Sequence, residues 1–317
     1  ILYEKESPKP ILDEIGELKK NKDLPKIKVV FNVSSKIKSL GSKLLYNCTA
    51  LTEINFSSSV KSIDSYVFKG CTALMKISIP KSVTFIGIYC FEDCVSLKKV
   101  IIKSQITEIN EGLFSKCINL QEISIPQSIE VIATLAFNEC RSLKKITIPP
   151  SVKSIGICAF RGCKSLIEIT IPPSVTVIEN YCFEDCSSLE KVIIESQLIE
   201  ISKGLFSKCS KLIEISLPKT IQVIGTSSFE KCISLIKIAI PYSVNSICSS
   251  AFEECSSLTE VNIQSSLLKS IEECCFKKCT SLEKINIPSS VTQINESSFS
   301  ECSSLKQLLI PSSVISV

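Results

Sequence analysis

Apolar residues recur along this chain in one fixed phrase. Aligned on Phe-x-x-Cys, copies fall at Phe68/Cys71, Phe91/Cys94, Phe114/Cys117, Phe137/Cys140, Phe160/Cys163 and Phe183/Cys186. They continue at Phe206/Cys209, Phe229/Cys232, Phe252/Cys255, Phe276/Cys279 and Phe299/Cys302, with Leu45/Cys48 as a degenerate first copy. The step is 23 residues, stretched to 24 between Cys255 and Cys279. Self-similarity at a period of this size is the signature of a repeat architecture.

Leu143, Ile146, Ile148, Val152, Ile155, Phe160 and Cys163 mark the apolar positions of one copy. Leu143 to Ile148 reads L-x-x-I-x-I, whose end alternates in and out as a strand does. Pro149-Pro150-Ser151 turns the chain, because proline cannot donate to a continuing ladder. Val152 to Ile155 is a second short extended piece. Ala159 to Cys163 is too short for a stable helix and is expected to make one helical turn. Each copy is therefore one coil of a solenoid, which buries its apolar edge only by stacking on its neighbours.

A longer period overlies the first. Residues 90–117 read CFEDCVSLKKVIIKSQITEINEGLFSKC and residues 182–209 read CFEDCSSLEKVIIESQLIEISKGLFSKC, with 21 of the 28 positions identical. The offset of four coils describes a duplicated cassette.

The string LKKITIPPSVKSIGICAFRGCKSL, residues 143–166, resembles the BspA-like, Treponema-type class of leucine-rich repeats. The resemblance covers residue 28 to the end. It implies a right-handed leucine-rich-repeat coil, mostly β, with a parallel sheet on the concave face and short helical turns. It also implies a protein-binding role, since many members are surface proteins that bind host matrix proteins or other cells.

Periodicity fades before Lys28, although Phe31, Val33, Ile37, Leu40 and Leu45 remain in phase. Residues 28–317 are thus expected to form about twelve repeats. Residues 1–27 are expected to cap the first coil: Ile11, Leu12, Ile15 and Leu18 share one helical face, with Pro10 before them and Pro25 after. The chain begins at Ile1 without a signal-peptide pattern and stops mid-coil at Val317, so both ends read as trimmed.

Composition narrows the function. The net charge is +4, with 36 basic and 32 acidic residues, too balanced for a dedicated nucleic-acid binder. The chain has no His, which removes the commonest general base and metal ligand. No apolar run approaches the roughly 18–20 residues that span a bilayer. Phosphate-loop, dinucleotide and metalloprotease motifs are missing, and no cofactor is expected. The acidic pairs Glu92/Asp93 and Glu184/Asp185 read as solvated coil corners. An enzyme is not expected.

The 18 cysteines admit three readings. Twelve share one corner of the repeat, which favours a ladder of buried reduced thiols. Disulfides between neighbouring coils would meet the Cα range but need distorted side-chain vectors. Zinc would need ligands that converge, and these run along an axis. Cys90, Cys182 and Cys275 replace a small residue before Phe, while Cys158, Cys248 and Cys274 are left over, Cys158 and Cys274 as candidates for exposure.

The outward positions of L-x-x-I-x-I are the third and fifth. The third alternates in sign from Glu122 to Lys284 through Lys145, Glu168, Lys191, Glu214, Lys237 and Glu260. This reads either as an ion-pair ladder setting register or as a polar stripe that docks a partner. The fifth is mostly small, with Thr147 typical, but Ile101 and Ile193 stand at equivalent points of the two cassettes. They are either partner anchors or ordinary isolated apolar residues. The expected partner-binding set on the concave face is Lys99, Ile101, Lys145, Thr147, Lys191, Ile193 and Lys237. Tyr66, Tyr89 and Tyr181, two before their Phe, form a second patch on an outer edge. Four glycosylation sequons occur, at Asn32, Asn47, Asn55 and Asn295. The expected function is adhesion-type protein binding at the cell surface or after secretion, to matrix or cell-surface proteins. The alternative is an intracellular, cytoplasmic scaffold on the same solenoid, which reduced thiols would suit.

Overall fold

The computed structural model describes Leu2–Tyr3 and residues 29–317. The helix expected between Pro10 and Pro25 lies outside the described residues. The backbone forms a parallel-sheet β-solenoid of about 12 turns, organised as two compact units, Ile1–Val152 and Lys153–Val317. Most coils contribute one longer strand and one two-residue strand. In the first unit, Leu2–Tyr3 pairs with Val29–Asn32, which pairs with Leu51–Asn55. Lys76–Ile79 pairs in register with Lys99–Ile102, so that Lys76 lies beside Lys99 and Ser78 beside Ile101. In the second unit Glu168–Ile171 pairs likewise with Lys191–Ile194.

The phenylalanines of the Phe-x-x-Cys repeat are fully buried from Phe68 to Phe276 and stack ring on ring within each unit. Phe68, Phe91, Phe114 and Phe137 follow one another at 5.1, 5.5 and 5.6 Å between centroids. In the second unit the column runs from Phe160, 5.4 Å from Phe183, to Phe299, 5.5 Å from Phe276. A 23-residue period returns each ring to the same angular place, so the column follows from the repeat itself. Leu, Ile and Val at the other inward positions complete the core of each unit.

The corner that carries each Phe departs from the expected helical turn; no helix occurs among the described residues. Two left-handed residues flank every Phe: Cys158 (φ 53°) and Gly162 (φ 70°) around Phe160, Tyr89 (φ 51°) and Asp93 (φ 59°) around Phe91. Most of these residues are not glycine, and each left-handed one costs about 1–2 kcal/mol. The return is complete use of the backbone. The N–H groups of Cys158, Phe160 and Gly162 donate to Asn180, Cys182 and Glu184 of the next coil at 3.1, 2.9 and 2.8 Å. Those of Ala159, Arg161 and Cys163 close turns onto Gly156, Cys158 and Phe160 at 3.2, 3.2 and 3.1 Å. A right-handed helix would point all six along its own axis and leave the next coil without donors.

Cysteine belongs to this corner for a related reason. Each Phe carbonyl already accepts the turn bond and has a second lone pair. The Cys thiol one coil on donates to it: Cys94 Sγ to Phe68 O at 3.2 Å, Cys117 to Phe91 O at 3.1 Å, and Cys209 to Phe183 O at 3.2 Å.

Proline decides how far the longer strands pair. From Lys76 onward the residue after L-x-x-I-x-I is proline in most coils, but Lys103, Glu195 and Gln264 stand there in three. Their N–H groups donate to Ile79, Ile171 and Ile240 at 2.9, 3.0 and 3.0 Å. Those three coils pair with the preceding coil over four residues. Pairing with the following, proline-bearing coil shrinks to three residues at Glu122–Ser124 and two at Glu214–Ile215 and Lys284–Ile285. Leu51–Asn55 and Lys76–Ile79 fall in separate sheets, as do Glu214–Ile215 and Lys237–Ile240. A missing donor ends the ladder, and each three-stranded block of the longer strands beyond Lys76 centres on a proline-free coil.

Phe160→Ala should lower unfolding free energy by about 3–5 kcal/mol in urea denaturation, the cost of emptying a core aromatic site; a loss under about 1 kcal/mol would contradict the buried column. Lys103→Pro should lower amide protection at Val100 and Ile102 about fivefold in hydrogen exchange, the equivalent of ~1 kcal/mol. Unchanged protection would refute the proline rule.

Candidate functional site

The longer strands hold Lys99, Ile101, Lys191, Ile193 and Lys237, five of the residues expected to bind a partner, facing outward, because alternate side chains of a strand leave on opposite faces. In the first unit Lys99 and Lys145 are exposed, Thr147 is exposed and Ile101 is half-buried between Ser78 and Ser124. Lys99 pairs with Glu122 at 2.7 Å and Lys76 with Glu53 at 3.8 Å. Lys76 and Lys99 are register partners, so two like charges stand side by side there, a locally unfavourable pairing. Residues 143–149 form no strand. Where they part from Glu122–Ser124, the face opens into a depression lined by Gln121, Glu122, Ser124, Gln127, Lys144, Lys145 and Thr147. Ile123 at its floor is half-buried, whereas its equivalents Ile77 and Val100 are buried.

In the second unit Lys191 and Lys237 are exposed, and Ile193 is 39% exposed. Lys237 reaches Glu260 at 3.3 Å. A second depression, lined by Glu214, Ser216, Lys237, Ala239, Glu260 and Asn262, opens where Glu214–Ile215 and Lys237–Ile240 part. Lys99 and Ile101 share one strand, as do Lys191 and Ile193. Lys145 and Thr147 line the first depression, and Lys237 lines the second.

The sequence reading passed over an outward position one residue earlier. Met75 is exposed in the first unit, and Ile167, Ile213 and Ile236 in the second. The same slot holds Lys98, Gln121, Lys144 and Glu190 in other coils. Those polar occupants were the available signal that it faces water.

The corner edge also differs from expectation. Glu92 and Glu184 are buried, 7% and 8% exposed, rather than solvated. Lys69 and Lys116 hold Glu92 at 2.6 and 3.5 Å, and Arg161 and Lys208 hold Glu184 at 2.9 and 2.7 Å. Each carboxylate ties its own coil to the coils before and after it, which accounts for its burial. The hydrogen bond and charge of Glu92 hold the Lys69 ammonium above its ordinary pKa. Tyr66 and Tyr89 stack at 5.7 Å, and Lys69 lies over both rings at 5.7 and 5.9 Å. Tyr89 donates its hydroxyl to Glu111 at 2.5 Å, which raises the pKa of the phenol. Its ring lies on Gly112, where an added Cβ would sit 2.2 Å from it. Tyr181 lies on Gly204 in the same way, with Lys203 5.7 Å from its ring centre. Tyr66 and Tyr89 thus lie together at the corner of the first unit, and Tyr181 at a corner of the second.

All eighteen cysteines stand outside disulfides, fourteen of them buried; Cys158, Cys248, Cys274 and Cys302 are partly exposed. Burial raises the pKa of the corner thiols far above the ordinary value, and that of Cys302 to about 11. Among the described residues no group of three or more His, Cys, Asp or Glu could hold a metal ion, and no helix is long and apolar enough to cross a membrane.

A stacked β-coil with a flat, charged strand face defines a leucine-rich repeat protein, a class that suggests a protein-interaction module rather than an enzyme. The family model of the BspA type leucine rich repeat region (6 copies) matches residues 26–144, 132–247 and 222–317, and the chain belongs to that family. It is similar to a leucine-rich repeat protein from Bacteroides ovatus, at 28% identity over 89% of this chain and 78% of that one, with a TM-score of 0.62. It is also similar to a leucine rich cell surface protein from Faecalibacterium prausnitzii, at 26% identity over 91% and 80% of the two chains, TM-score 0.54. The pneumococcal vaccine antigen PcpA shares the fold, at 19% identity over 91% and 78%, TM-score 0.51. No curated protein matches the chain.

Thiol titration of the native protein should find at most the four partly exposed groups, and all eighteen after denaturation; rapid reaction of more than four would refute the ladder. A thiol whose folded pKa is raised is protonated more readily when folded. Its stabilisation is complete below the unfolded thiol pKa of about 8.5 and is lost as pH rises towards the folded value. The urea midpoint should therefore fall steadily above about pH 8.5.

Proposed function

We propose that this chain is a non-catalytic adhesion module, displayed at the cell surface or secreted, that binds matrix or cell-surface proteins through its longer strands. One observation carries the reading. Each KVII strand sets an isoleucine, Ile101 or Ile193, among charged and small residues on an outward face. An apolar centre with a polar rim is the layout of a protein-binding surface. The rigid stacking beneath it lowers the ordering cost of binding, and repetition along the coils adds avidity. The likeness to a leucine rich cell surface protein supports the location. The lack of His leaves no imidazole for acid–base work.

A second reading, an intracellular scaffold on the same face, draws on the eighteen free thiols, which suit a reducing compartment. Surface labelling of intact cells separates the two. For the face itself, Ile101→Asp with Ile193→Asp should weaken capture of purified matrix proteins by about tenfold or more, the scale of one lost anchor. Undiminished capture by a folded double variant would remove the strand face from the reading.

A further inference from the structure

We infer that the strand faces of the two units are complementary docking faces for a second copy of this chain. The inference rests on the reading of the strand face as a protein-binding surface and names its partner. The two cassettes share one backbone plan: Lys76, Lys99 and Glu122 stand in register in the first unit, and Glu168, Lys191 and Glu214 in the second. What differs is charge. Residues 98–103 read KKVIIK and residues 190–195 read EKVIIE. Only seven of the cassette's 28 positions differ, and two of the seven are Lys98 against Glu190 and Lys103 against Glu195. One coil earlier Lys76 answers to Glu168. All six side chains are exposed.

Here the same frame carries a basic rim around Ile101 and an acidic rim around Ile193. Among the described residues Lys98, Lys103 and Glu195 have no ion-pair partner, and Glu190 reaches only Lys211, at 3.7 Å. Lys98 and Lys103 also stand beside the like-charged register pair Lys76 and Lys99, a repulsion that an acidic face would relieve. Laid face to face, a basic block of one chain and an acidic block of another oppose Lys to Glu around two isoleucines. Exposed ion pairs contribute little each, so the contact is weak and governed by ionic strength.

Sedimentation velocity of the purified chain tests this. The wild type should self-associate at low salt and revert to monomer at about 1 M salt, where the Debye length is ~3 Å. Lys98→Glu with Lys103→Glu makes both faces acidic; Glu190→Lys with Glu195→Lys makes both basic. Each double variant alone should lose self-association about tenfold or more, while an equimolar mixture of the two should associate as the wild type does. Circular dichroism melts confirm that both variants fold. A wild type that stays monomeric at low salt overturns the inference, and so does self-association that survives charge reversal or a mixture that stays monomeric. Capture of matrix proteins that remains sensitive to Ile101→Asp and Ile193→Asp in a monomeric wild type would leave the adhesion reading standing while this one fails.

Discussion

Each coil has to hand half of its corner N–H groups to the next coil and keep the other half for its own turns. Cys158, Phe160 and Gly162 donate outward while Ala159, Arg161 and Cys163 donate inward. That alternation requires a left-handed residue on each side of the phenylalanine, and the chain accepts the strain at residues as bulky as Tyr89 and Leu135. Once it holds, the phenylalanine must point into the stack, where its ring meets the ring of the neighbouring coil. The carbonyl of that phenylalanine is left with one free lone pair, and the cysteine thiol of the following coil fills it. Corner, aromatic column and thiol ladder are one arrangement seen from three sides.

The strand face is under a different control. Proline after the strand withholds the N–H that would extend the ladder, so the sheet is divided into short blocks, and the proline-free coils of Lys103, Glu195 and Gln264 form the centres of those beyond Lys76. Two of these centres are the KVII strands that carry Ile101 and Ile193. The best-paired backbone thus supports the most distinctive side chains, while both surface depressions lie where pairing stops.

Electrostatics acts differently at the two edges. At the corner, Glu92 and Glu184 are drawn into the structure because cations from adjacent coils surround them, and their role is to tie coils together. On the strand face, Lys98, Lys103 and Glu195 remain exposed with no ion pair among the described residues. The first arrangement consumes charge internally. The second leaves charge facing outward.

The period of 23, the inward Leu, Ile, Val, Phe and Cys positions, the outward Lys99, Ile101, Lys191 and Ile193, and membership of the repeat family were all legible in the chain, because stacking makes burial strictly periodic. The division of the sheet was equally present in the three proline-free coils beyond Lys76, though it acquires meaning only when the missing donor is seen opposite its acceptor. The corner's backbone was not legible. A five-residue segment such as 159–163 reads as a helical turn by local preference, and only bonds to a coil 23 residues away favour left-handed residues there. Nor could the charged pairs at 92–93 and 184–185 announce which member is buried, since that depends on cations one coil before and after. Periodicity determined which side chains go inside; contacts between coils decided how the backbone turns and which carboxylates follow, because those choices are settled by partners the local sequence does not contain.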